Sequence, residues 1–120
     1  MIAETELNEL IVDAIRDRKG TGITLVDLSD IPGASAQAFI IAEGHATTQV
    51  GAIAERLRER LREDAGLKPF NSDGDHDNSE WVVLDYGDTW VHIFMPEARR
   101  RYCLEELWSD AKITEYPDLD

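Results

Sequence analysis

Two six-residue runs rich in β-branched and aromatic residues, Trp81–Tyr86 and Thr89–Phe94, stand on either side of Gly87-Asp88. A two-residue link between strand-like runs signals a tight β-hairpin, in which Gly supplies the positive φ that the turn needs. Such a turn fixes the register. Tyr86 pairs with Thr89, Asp85 with Trp90, Leu84 with Val91, Val83 with His92, Val82 with Ile93 and Trp81 with Phe94. Side chains alternate between faces along a strand, so Val82, Leu84, Val91 and Ile93 share one wholly aliphatic face that is expected to pack on helices. The opposite face holds Trp81, Val83, Asp85, Trp90, His92 and Phe94. Two readings of that face stand. Aromatics mixed with a few polar groups resemble the core of a protein–protein interface; alternatively, the sheet is covered on both sides and His92 is hydrogen-bonded in the interior.

Upstream, Leu7, Leu10, Ile11, Ala14 and Ile15 recur at helical spacing. Arg16, Arg18 and Lys19 suit the negative end of that helix, and Gly20 is a natural stop. Ile23–Leu28 and Ala38–Ala42 read as short strands joined by a loop over Ser29–Ser35, with Gly44 closing the second. Thr47 or Thr48 is placed to cap a second helix. Its buried stripe is Val50, Ile53, Ala54, Leu57 and Leu61, and Ala65-Gly66 ends it. The outer face of that helix alternates Glu55, Arg56, Arg58, Glu59, Arg60, Arg62 and Glu63, as a solvated face laced with ion pairs does. Asn71–Ser79 is polar and turn-rich. Pro96-Glu97 opens a last helix, with Pro pre-set for its first turn. The pattern predicts a single domain over residues 1–120, in which 109–120 form a flexible acidic tail that need not be ordered.

The 120 residues carry 25 acids against 12 bases, a formal net charge of −13. Nucleic-acid phosphates repel such a surface, because phosphate binding is driven by Lys and Arg displacing counterions. Direct nucleic-acid binding is therefore not expected, and basic surfaces are the natural electrostatic partners. Solubility, or a salt-adapted host, is the alternative account of the acidity. No apolar run approaches the roughly 18 residues of a membrane span, so no membrane partner is expected. Met1–Glu9 has acids and no base, unlike a secretory or mitochondrial leader. A single cysteine, Cys103, excludes an intrachain disulfide framework and agrees with a reducing, cytoplasmic setting.

Catalytic and metal-binding constellations do not assemble from the sequence. Asp73-Gly-Asp-His-Asp77 invites a calcium reading, but an EF-hand loop starting at Asp73 would need Gly and Glu where Asn78 and Leu84 stand. An acidic loop is the better reading. His45, His76 and His92 lack second ligands at metal spacing, and no phosphate loop, dinucleotide fingerprint or nucleophile elbow occurs. Cys103, placed in the last helix between Tyr102 and Leu104, reads as packing. No cofactor and no catalytic residue is expected.

The stretch Glu80-Trp-Val-Val-Leu-Asp-Tyr-Gly-Asp88, continued by Trp90-Val-His-Ile-Phe94, Pro96-Glu-Ala-Arg99 and Tyr102-x-Leu104-Glu105-x-Leu107-Trp108, resembles the signature of the ribosomal silencing factor (Iojap-like) family. Phe39-Ile-Ile41, Gly44, Gln49-Val50 and Ala52-Ile-Ala54 match it in order and spacing. The chain departs from it at Gln37-Ala38, where the family usually has Asp-Tyr, and at Glu43, where it usually has a small hydroxyl residue. The resemblance implies an α/β fold, a mixed β-sheet flanked by helices like the nucleotidyltransferases but without their catalytic residues. It also implies binding to the large ribosomal subunit through ribosomal protein L-fourteen, obstruction of subunit joining when nutrients are short, and a homodimer when free. Carried over by position, the docking residues are Trp81, Asp85, Tyr86 and Asp88, with Trp90 and His92 nearby. Trp81 and Tyr86 face opposite sides of their strand, so both reach one partner only if the hairpin's tip or edge is engaged. Two other readings come from different classes. A small nucleotidyltransferase-like enzyme would need a Gly-Ser turn ahead of two strand carboxylates, and the chain has no Gly-Ser dipeptide. An acidic homodimeric adaptor would need no ribosome.

Overall fold

A computed structural model describes residues 3–34, 36–74, 79–103 and 110–118. Along the chain run helix α1 (Glu4–Asp17), strands β1 (Thr21–Asp27) and β2 (Ala38–Glu43), helix α2 (Thr47–Ala65), strands β3 (Asn71–Asp73), β4 (Trp81–Asp85) and β5 (Thr89–Phe94), helix α3 (Pro96–Tyr102) and strand β6 (Lys112–Glu115). The described strands form one mixed sheet in the order β3-β4-β5-β2-β1-β6. Only β2 and β5 pair in parallel, with Ala38 opposite Thr89 and Glu43 opposite Phe94. The fold is thus the expected α/β arrangement of a mixed sheet flanked by helices.

The hairpin has the register that the turn dictates, from Asp85 opposite Trp90 to Trp81 opposite Phe94. Its aliphatic face packs as expected. Val82, Leu84, Val91 and Ile93 are buried in one core with Leu7, Ile11 and Ile15 of α1 and Val50, Ile53, Leu57 and Leu61 of α2. A second, smaller core lies on the other side of the sheet. There Val26, Phe39, Ile41 and Phe94 pack with Ala98 of α3 and with Leu28 and Ala36 of the β1–β2 connection.

Several local readings change. Neither Thr47 nor Thr48 caps α2: the N-cap is Ala46, extended and with no side-chain cap bond, and Thr47 is already helical. Gln49 supplies a substitute by accepting the His45 N–H at 2.7 Å, while its amide donates to the Arg18 and Lys19 carbonyls at 3.1 Å each. The C-terminus of α2 follows the sequence, with Gly66 left-handed. Lys19 and not Gly20 takes the positive φ after α1. A Cβ on Gly20 would meet the Ile15 side chain, so this Gly permits close packing instead.

Two strands lie where none is expected. Asn71–Asp73, within the turn-rich stretch, adds β3 to β4. Lys112–Glu115, in the stretch read from the sequence as a flexible tail that need not be ordered, adds β6 to β1. All four β6 residues are exposed, so no alternation of buried and polar residues could mark the strand. Its neighbours hold it down: Tyr116 N–H donates to the Ile23 carbonyl at 2.9 Å, Gly22 N–H to Asp118 at 2.9 Å, and Arg16 to the Pro117 carbonyl at 2.7 Å. Cys103 is not helical either. It follows α3 as a left-handed C-cap with φ 47°.

Candidate functional site: the hairpin tip and its aromatic face

The hairpin turn is built by backbone geometry and one carboxylate. Tyr86 N–H donates to the Thr89 carbonyl at 3.0 Å, and Gly87 N–H donates to Asp85 Oδ1 at 2.7 Å. Gly87 sits at φ 89°. The turn is also tied to the centre of the sheet, since the Asp88 carbonyl accepts N–H bonds from Gln37 at 2.8 Å and Ala38 at 3.1 Å. Those bonds come from the backbone, so the departure from the family pattern at Gln37-Ala38 leaves this anchorage intact. A Cβ on Gly87 would lie 3.0 Å from the Phe70 ring and would force an L-residue into left-handed backbone. Gly87→Ala should therefore cost about 1–2 kcal/mol of stability. Urea unfolding of the variant checks this, and an unchanged midpoint would mean that the turn is not held at positive φ.

On the face away from α1 and α2, aromatic rings form a continuous cluster. Trp81 stacks on Phe94 at 5.0 Å between centroids and lies 4.5 Å from Tyr102, while Phe39 stacks on Trp90 at 5.9 Å. His92 sits among them, 4.7 Å from Phe39 in an edge-on arrangement. Trp81 Nε1–H donates to His92 Nδ1 at 3.1 Å, so the neutral ring carries its proton on Nε2. That Nε2 is buried without a hydrogen-bond partner. Burial pushes the His92 pKa down to about 4.

The six sequence-expected docking residues fall into two groups. Asp85 and Trp90, paired beside the turn, are half-buried, Asp88 in the turn is exposed, and Trp81 is half-buried at the other end of the hairpin, opposite Phe94. Tyr86 is 7% exposed and His92 only 4%. Tyr86 packs in the helix-side core, where burial pushes its hydroxyl up to about 12. As the protein stands, these two shape the surface from beneath and do not form it. The centre of the aromatic face is covered, with His92 hydrogen-bonded in the interior, whereas its Trp81 and Trp90 flanks reach solvent.

Some residues quoted for the signature belong to the frame. Arg99 of α3 donates to the Gly22 carbonyl at 2.6 Å and to Thr24 Oγ1 at 3.0 Å, and pairs with Glu43 at 3.2 Å. Glu43, where the family usually has a small hydroxyl residue, is here part of an ion pair that ties α3 to β2, while Arg99's other bonds tie α3 to β1. A Cβ on Gly44 would come within 3.0 Å of the Val50 nitrogen, so this Gly lets β2 pass close to α2. The basic face of α2 is laced with ion pairs. Arg56 and Arg60 both reach Asp17 at 2.9 Å. Burial works against the charged form of Asp17, but the bonds from Arg60 and Arg56 outweigh it and hold its carboxyl below the usual range.

Among the described residues, no group of three or more His, Cys, Asp or Glu side chains stands close enough to hold a metal ion. No described helix is long and apolar enough to cross a membrane. The remainder of the calcium-like stretch, residues 75–77 including His76, and the signature positions Leu104, Glu105, Leu107 and Trp108 lie outside the described residues.

Residues 2–120 match the family model described as "Ribosomal silencing factor during starvation". The chain is similar to the ribosomal silencing factor RsfS of Chromobacterium violaceum, with 36% identity over 107 residues, 89% of this chain and 85% of that protein. It is also similar to the protein of the same name from Bacillus subtilis, with 35% identity over 107 residues, 89% of this chain and 86% of that one. A crystal structure of a Chromobacterium violaceum protein superimposes with a TM-score of 0.83 at 33% identity, covering 90% of this chain and 88% of that chain.

Proposed function

This chain belongs to the ribosomal silencing factor family, and on that premise we propose that it docks on the large ribosomal subunit through the β4–β5 hairpin and blocks the small subunit sterically. The partner in this reading is ribosomal protein L-fourteen, at the face that would otherwise meet the small subunit. The chain acts as a regulator of translation in the cytoplasm and not as an enzyme, needs no cofactor, and pairs with a second copy when free. One observation supports the docking surface: the hairpin presents Trp90 partly to solvent beside an acidic turn, with Trp81 partly exposed at its other end. The bonds from Gln37 and Ala38 to Asp88 hold that turn firmly. Apolar area next to fixed carboxylates suits a basic protein surface, and the net charge of −13 speeds the encounter. Steric occlusion then requires affinity and bulk, and no chemistry.

The test is co-sedimentation with purified large subunits, with small subunits and protein-free ribosomal RNA as controls. Large subunits alone should carry the protein down. Binding should weaken with salt without vanishing, because the Debye length shrinks from about 10 Å at 0.1 M to about 3 Å at 1 M while aromatic burial persists. Asp88→Lys should melt within about 0.5 kcal/mol of wild type, as ordinary surface changes do, yet bind less and relieve the block on subunit joining. A variant that inhibits at wild-type strength would remove the turn from the docking surface. Equal binding to both subunits would sink the proposal.

A further inference from the structure

Phe70 is the most exposed large apolar side chain among the described residues, at 76%. Its backbone is nevertheless fixed. Its N–H donates to the Asp85 carbonyl at 2.7 Å, and the next residue, Asn71, opens β3 opposite Asp85. The ring lies against the bare backbone of Gly87, where a Cβ would meet Phe70 Cε2 at 3.0 Å and Cδ2 at 3.7 Å. The phenyl group therefore stands on the hairpin tip, with one edge on Gly87 and most of its area in water. Burial so slight contributes little to folding, so the fold itself does not account for an aromatic ring here. An aromatic side chain on a constrained backbone is what an interface anchor requires, since less conformational freedom is lost when it inserts.

We propose that Phe70 is the apolar anchor of the docking surface, filling an apolar socket with a basic rim on a protein partner. This rests on the docking reading above and adds to it a residue outside the hairpin. The surroundings of the ring select the partner. Asp85 binds Gly87 N–H through its carboxylate, and exposed Asp88 follows Gly87 in the chain. A nucleic acid stacking on the ring would bring phosphates against these acids. A second copy docking tip to tip would bring two acidic turns together. A basic protein surface meets both the ring and the carboxylates.

The experiment compares wild type, Phe70→Ala, Phe70→Leu and Ile113→Ala for affinity to purified large subunits and for melting midpoint. Ile113 is 43% exposed on β6, the strand at the far edge of the sheet from β3. Phe70→Ala should bind about tenfold or more weakly, the scale of an aromatic hot spot, at an unchanged midpoint. Phe70→Leu should recover part of the affinity, and Ile113→Ala should bind like wild type. Wild-type binding with an equally tight Phe70→Ala variant overturns the anchor and leaves hairpin docking standing. An equal loss in Ile113→Ala, or wild-type binding to protein-free ribosomal RNA that Phe70→Ala abolishes, also overturns it. If wild type does not bind large subunits at all, hairpin docking and the anchor fall together.

Discussion

Leu84→Ala should lower the unfolding free energy by about 2–5 kcal/mol, the usual range for truncating a core leucine. Leu84 is 0% exposed and faces Val91 across the hairpin, on the side that packs against α1 and α2. The loss combines the transfer energy of the deleted carbons with a cavity that sheet and helices close only partly. Few positions so near the turn should show so large an effect. The contrast with Asp88→Lys, three residues past the strand in the same turn region, separates folding from docking within one short segment. Urea unfolding measures the cost. A loss below about 1 kcal/mol at an unchanged denaturant slope would mean that the aliphatic face is not tightly packed.

Acidification should destabilise the protein through His92, by about 3 kcal/mol once the pH has fallen to near 4. In the unfolded chain the imidazole titrates near its ordinary 6.5, whereas in the native protein burial holds it down to about 4. The native state therefore favours the neutral ring. That contribution is complete above pH 6.5 and is lost as the pH falls from 6.5 through 4. Protonation would also turn Nδ1 from acceptor into donor and set it against the Trp81 Nε1–H. His92→Gln retains an acceptor for Trp81 without the titration. Unfolding free energies of both proteins at pH 7.5 and pH 4 should show a larger drop for wild type, because the carboxylate contributions common to both cancel in the comparison. Equal drops would mean that His92 is hydrated in the native state.

Much of this architecture is legible in the chain because strong local constraints fix it. The Gly87-Asp88 link leaves one sensible register, and the alternation from Val82 to Ile93 then says which face is buried. The stripe Val50, Ile53, Ala54, Leu57 and Leu61 does the same for α2. What escaped had no local pattern. β3 and β6 are exposed at every residue and exist because β4 and β1 offer them free backbone groups. The placement of the docking candidates was legible in part. The hairpin register puts Asp85, Asp88 and Trp90 at or beside the turn and Trp81 at the other end, but the burial of Tyr86 and His92 depends on what lies above each face. Phe70 carried no signal of its own, because its place on Gly87 follows from β3. A Gly at positive φ with a phenylalanine placed upstream by a short edge strand is a pattern that sequence reading could look for elsewhere.

Kinetically, the parallel junction of β2 with β5 divides assembly into local and distant steps. The β4–β5 hairpin closes over a two-residue link and forms on the microsecond scale of isolated hairpins. Ala38 must find Thr89 about 50 residues along the chain, and Thr24 must find Glu115 about 90 residues along. Loop-closure entropy falls on these two steps, and topology of this kind slows folding more than it lowers stability. The β2–β5 seam, with Ile40 against Val91 at full burial, is then the natural nucleus, and β6 joins an already formed edge. Weakening the seam should slow folding, whereas weakening β6 should chiefly hasten unfolding. β6, with all its residues in water, would thus set how long the sheet stays closed, and the buried centre how fast it closes.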